Sequence, residues 1–175
     1  ELGGGIYDGE VVGGAKTTFS ISGGTVAYNN ASQGGGIYSI GGGADPRFFE
    51  HVIFEGNRAE ISGGGLNIRD YSFDLTVRHC KFYKNYVGNS TKHGSLGGGA
   101  ILSYQMHHFY VQDSTLQNNT GPRGGALEAT GSIDQMNNIS ISRCTFLGNV
   151  AYGNDIWSQG GGSILLSGAN VVVRE

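Results

Sequence analysis

Short stretches of the chain alternate apolar and polar residues, and these stretches recur at intervals of roughly 30 residues. The clearest register reads apolar, x, apolar, x, x, small, x, apolar, x, x, Asn. It appears as Phe19, Ile21, Gly24, Val26, Asn29, then as Leu75, Val77, Cys80, Phe82, Asn85. It returns as Phe109, Val111, Ser114, Leu116, Asn119 and as Ile139, Ile141, Cys144, Phe146, Asn149. A further copy keeps the later part: Phe49, Val52, Phe54, Asn57. Each copy is preceded or followed by a Gly-Gly step running into an aliphatic residue, at Ile6, Ile37, Leu66, Ile101, Leu127 and Ile164. Period-two alternation predicts short strands with one face inward. The parity changes between the second apolar position and the small residue, which predicts a corner that resets the inward face.

Strands this short cannot pair within one repeat, so they must stack on neighbouring repeats as parallel sheets. The expected fold is all-β: a right-handed parallel β-helix of about six coils, with three short strands per coil. It is read as a single domain over residues 1–175. The chain starts at GGGI and stops where Asn170, Val171 and Val173 repeat Asn138, Ile139 and Ile141. Coils open at both ends are therefore expected. They would be covered by end-to-end self-association into a fibre or by the rest of a longer chain.

The repeated Asn29, Asn57, Asn85, Asn119 and Asn149 are expected to form a ladder, one amide per coil, at a corner that also uses their tolerance of left-handed backbone. The Gly clumps are expected at another corner, for positive φ or close backbone approach. A phosphate cradle is excluded, because each Gly step runs into a strand rather than a helix.

Pairing of GGA(I/L) with FxxN resembles the repeats of the chlamydial polymorphic membrane proteins and of large surface proteins of some microbial eukaryotes. Here the matching pieces are GGGI, GGGL, GGGAI and GGAL, with FEGN, FYKN and FLGN. The resemblance spans essentially the whole chain. It implies a right-handed β-helix exported to a cell surface, with structural or adhesive duty, and carries over no catalytic or binding residue. The membrane β-barrel of such bacterial proteins has no counterpart in these residues.

Composition narrows the function classes. Glycine supplies 33 of 175 residues with only two prolines, against an ordinary glycine share of about 7%; without a three-residue period collagen does not fit, and the clumping of the glycines points to repeated tight turns rather than a flexible linker. Net charge is −3 and no basic stripe is present, which argues against nucleic acid. No apolar run is long enough to span a membrane. Cys80 and Cys144 share one inward register position, two coils or about 9.6 Å apart, beyond the roughly 7 Å reach of a disulfide. Two buried free thiols are expected.

Four N-x-S/T sequons stand at Asn30, Asn89, Asn118 and Asn138. The first and third neighbour a ladder asparagine and the last precedes inward Ile139, so these should face out; Asn89 lies in an inserted loop. Two insertions, Tyr86–Leu96 and Val150–Gln159, leave the same corner two coils apart. They bring Tyr86, His93, Tyr152 and Trp157 to one flank as candidate contacts for a sugar or partner. The alternative is that Tyr152 and Trp157 fold back over the sheet.

A polysaccharide lyase, hydrolase or epimerase would need clustered acids with a metal or a base. The candidates are Asp70 and Asp74 near Arg78 and His79, and His107 and His108 with Asp113 and Asp134 farther off. Each reads more simply as a solvated side chain. The resulting expectation is a non-enzymatic extracellular structural or adhesive module, glycosylated and polymerising head-to-tail into a surface fibre, without metal or cofactor. The alternatives are a polysaccharide-acting enzyme and a passive carbohydrate-binding module.

Overall fold

A computed structural model describes residues 2–9, 18–41, 46–69, 74–88, 97–131, 138–153, 162–167 and 170–175. These form an all-β parallel solenoid built from four sheets. The aliphatic residue after each Gly step opens a strand of the first sheet: Ile6–Gly9, Ile37–Ile40, Leu66–Arg69, Ile101–Met106, Leu127–Gly131 and Ile164–Ser167. The alternating apolar pair makes the second: Phe19–Ser22, Arg47–Glu50, Asp74–Arg78, His108–Gln112, Asn138–Ser142 and Asn170–Arg174. Three-residue strands around Val26, Phe54, Phe82, Leu116 and Phe146 make the third.

The fourth sheet departs from the three strands per coil read from the sequence. It stacks Asn30–Gln33, Arg58–Ser62, Tyr86–Val87, Thr120–Gly121 and Val150–Ala151, directly after each ladder asparagine. Three of these strands have only two residues, too few to show an alternation. Both insertions therefore begin as strand, at Tyr86–Val87 and Val150–Ala151.

Equivalent positions stack in columns. Leu75 pairs with Phe109, Phe109 with Ile139 and Ile139 with Val171; Val77, Val111, Ile141 and Val173 follow in the same way. Phe49, Phe54, Leu75, Phe82, Phe109 and Leu116 are almost wholly buried. Phe54 and Phe82 lie face to face with ring centroids 4.5 Å apart. Burial of each such side chain contributes about 1.5–3 kcal/mol relative to exposure. One charge breaks the apolar column: Arg47 is the register partner of Phe19 and Leu75, yet is 3% exposed. Its Nε lies 2.8 Å from Asp8 Oδ2 and donates to Ser39 Oγ at 3.0 Å, and that hydroxyl donates to Asp8 at 2.6 Å. The guanidinium is buried with its counter-ion, the condition under which burial of a charge is tolerated.

Three corners use left-handed residues, and none uses the ladder asparagine itself; one is the Gly step, at Gly3, Gly34, Gly63 and Gly97. At the ladder corner positive φ falls on the residue before the asparagine: Tyr28, Gly56, Lys84, Asn118 and Gly148. It falls also on Gly23, His51, His79, Asp113 and Arg143, the residue before the small position. A ladder asparagine is instead held by hydrogen bonds. Asn57 Oδ1 accepts from Asn29 Nδ2 at 2.9 Å and from Asn29 N at 3.2 Å. Asn57 Nδ2 donates to Asn85 Oδ1 at 3.0 Å and to the Val26 carbonyl at 2.7 Å. The pattern repeats through Asn85 and Asn119 to Asn149. Interior members thus use both amide hydrogens and both oxygen lone pairs, so they are buried without an unmet polar group.

The Gly step packs where the ladder corner leaves no room. A Cβ built on Gly64 would fall on the Gly99 carbonyl oxygen and the Tyr86 backbone, and one on Gly99 would fall on Gly125 and Thr120. Contact of backbone with backbone, rather than φ, requires glycine at these two positions.

Two substitutions test this packing by denaturant unfolding. Asn85→Ala removes the acceptor for Asn57 and the donor for the Phe54 carbonyl, and is expected to lower stability by about 3–5 kcal/mol. Gly64→Ala should cost about 3 kcal/mol or more. Asn30→Ala, at an exposed side chain, should stay within about 0.5 kcal/mol.

Candidate functional site

The interior is filled by the core and the ladder, so candidate functional side chains lie on the outer columns. Among the sequons, Asn30, Asn118 and Asn138 are exposed. In Asn29-Asn30 and Asn118-Asn119 one residue is locked in the ladder while its neighbour is exposed, Asn30 as the first residue of a strand and Asn118 at the left-handed corner. Asn89 lies outside the described residues.

Of the four residues read as a contact flank, the structure describes two. Tyr152 folds back: its hydroxyl lies 2.8 Å from the Val87 carbonyl and 2.7 Å from that of Gly88, two strands away in the fourth sheet. Burial, then the neighbouring Tyr86, pushes its phenol pKa up. Tyr86 lies beneath the Arg58 guanidinium, 4.9 Å from ring centroid to Cζ. The stems of the two insertions are therefore joined, and both tyrosines pack on the solenoid. His93 and Trp157 lie outside the described residues.

A groove that sequence reasoning missed runs across the third sheet. It has a volume of about 390 Å³ and is lined by Ile53, Glu55, Lys81, Tyr83, Thr115 and Gln117. These are the outward residues that flank the buried Phe54, Phe82 and Leu116. Their mixture of aromatic, charged and amide groups suits a polar ligand. Tyr28 donates to Glu55 at 2.8 Å on the rim, and that bond raises the phenol pKa.

The acids and histidines weighed for catalysis are distributed over two ends of the second sheet. Arg78 lies 3.4 Å from Glu50, and His79 stacks on His51 with centroids 4.9 Å apart. Asp113 receives two bonds from Arg143, at 2.6 and 2.8 Å, and the guanidinium lowers its carboxyl pKa. Asp74 sits at the opposite end of its strand from Arg78, close to His107 and His108. Asp70 and Asp134 are outside the described residues.

Both cysteines are free, Cys80 buried and Cys144 half-buried. Each thiol donates to the carbonyl two residues before it, as the Ser114 hydroxyl does between them. The shared bond explains why Cys and Ser interchange at this column. Burial pushes the Cys80 thiol pKa up to about 11 from 9.0, and that of Cys144 up as well. A raised pKa keeps the unreactive neutral thiol.

Below pH 9 the Cys80 thiol is protonated in both folded and unfolded chains. Between 9 and about 11 only the unfolded chain releases the proton, so this group's contribution to stability is lost as pH rises. Unfolding measured across that window should show a shallower alkaline decline for Cys80→Ala than for the wild type. At pH 8, alkylation of the native protein should be slow at both thiols and slower at Cys80.

Among the described residues no helix is long and apolar enough to cross a membrane. Comparison with protein-family models, with curated proteins and with solved structures finds no match.

Proposed function

We propose that the protein is a non-enzymatic structural or adhesive β-helix module of an extracellular surface, glycosylated at its exposed sequons. The observation that carries this reading is the division of labour at the ladder corner. One asparagine of each pair is spent on joining coils, and the adjacent sequon asparagine is presented to solvent. A stack of parallel sheets with an amide ladder is a rigid spacer, and exposed sequons on its corners are accessible to a glycosyltransferase in a secretory pathway. The similarity of GGA(I/L) and FxxN to surface-protein repeats supports the same location.

The outermost strands add a partner to this reading. Asn170–Arg174 lies at an edge of the second sheet, with Val171, Val172 and Val173 between 40% and 62% exposed. Such an edge takes a further strand in register. We propose that a further coil covers it, from the rest of a longer chain or from a second copy stacked end to end. Surface carbohydrate is the class of ligand suited to the outer columns, including the groove on the third sheet.

The test is secretion of the chain from a eukaryotic host, followed by intact mass and electron microscopy. The expected result is glycan mass that falls stepwise with Asn30→Gln, Asn118→Gln and Asn138→Gln, on rod-shaped or fibrous particles. Secreted, folded protein without glycan, as compact discrete particles, would contradict the proposal.

A further inference from the structure

We propose that Asp74, His107 and His108 form a binding site for a divalent transition-metal ion of the zinc class. The register builds the site. Leu75 and Phe109 are inward partners on adjacent strands of the second sheet, so the residues before them, Asp74 and His108, are partners as well. They stand on the outer side, one strand spacing of about 4.8 Å apart. His107 occupies the bend that leads into the strand and turns back toward Asp74, with Nδ1 3.6 Å from Oδ1. The two imidazoles are 4.0 Å apart between centroids and tilted by 50°.

One donor atom from each residue lies within 4.8 Å of the other two. Ligands of a tetrahedral zinc ion with bonds of 2.0–2.1 Å are about 3.4 Å apart. The remaining ångström is within reach of side-chain rotation, since the side chains of His107 and Asp74 are 39% and 47% exposed. Two imidazoles with one carboxylate select a borderline transition ion over calcium or magnesium, which take oxygen ligands. Three protein donors leave a coordination position for water or for a donor from a partner.

The next strand supplies support. Asn138 is the register partner of His108, and its side-chain amide lies 3.4 Å from His108 Nδ1. With the amide oxygen turned to that nitrogen, Asn138 would accept from Nδ1–H and leave Nε2 as the ligand. The stacked pair His51 and His79 forms a useful contrast: two imidazoles are close there, but among the described residues no carboxylate lies within ligand distance of both.

The experiment titrates the whole chain, made without glycan, with Zn²⁺ in competition with a chromophoric chelator. One ion per chain is expected. His107→Ala, His108→Ala and Asp74→Ala should each weaken binding by about tenfold or more, while His79→Ala should leave it unchanged. Zn²⁺ should also raise the melting temperature of the wild type and not of His108→Ala, a readout that separates lost binding from lost folding. Failure to bind one ion, or binding that survives all three substitutions and disappears with His79→Ala, would overturn the assignment.

Discussion

A strand that is one of four in its turn has no partner in that turn. Its backbone groups can be paired only by the turns above and below, and this constraint governs the rest of the structure. At the strands the parallel ladder meets it. At the ladder corner the residues on either side of the asparagine keep backbone bonds to a neighbouring turn, as Tyr28 N does to the Glu55 carbonyl and Arg58 N to that of Asn29. The asparagine column completes the pairing: the N–H of Asn29, Asn57, Asn85 and Asn119 is accepted by the side-chain oxygen of the next ladder residue. The second corner uses a smaller version of the device, with Cys80 N donating to Ser114 Oγ. Left-handed residues make the turns, and side-chain acceptors keep the turns bonded to each other.

Spending the interior in this way moves chemistry outward. Every outward position becomes part of a column with one residue per turn, so the surface is written in rows of neighbours. His51 on His79 and Asp113 on Arg143 are such neighbours at one corner. Asp74, His108 and Asn138 are another row. The groove over Ile53, Lys81 and Thr115 is a third. A repeat fold lets these rows change one residue at a time without disturbing the core.

Most of the architecture was legible because the register of apolar residues is a direct image of the inward columns. Phe19, Leu75, Phe109 and Ile139 align in the chain and stack in space. The fourth sheet was not legible, since a strand such as Thr120–Gly121 carries no alternation to count. Left-handed backbone was assigned to the asparagines by propensity, but tertiary hydrogen bonding claimed their side chains and the preceding residue took the strain. Arg47 in an apolar column gave no local sign of Asp8, a partner from the preceding turn. The grouping of Asp74 with His107 and His108 did have a signal: each of Asp74 and His108 precedes the first apolar residue of an aligned repeat, which makes them neighbours across strands. The exposure of Asn138 was readable for the same reason, because it precedes inward Ile139 on a strand.

Turns are coupled through the asparagine column, and a double-mutant cycle on Asn57 and Asn85 measures that coupling. The two alanine substitutions together should cost less than their sum by about 1–2 kcal/mol, since they share bonds, while Asn57 with Asn149 adds within about 0.5 kcal/mol. Additive costs for the adjacent pair would mean that the asparagines act separately at their corners, and the ladder would not be what joins the turns.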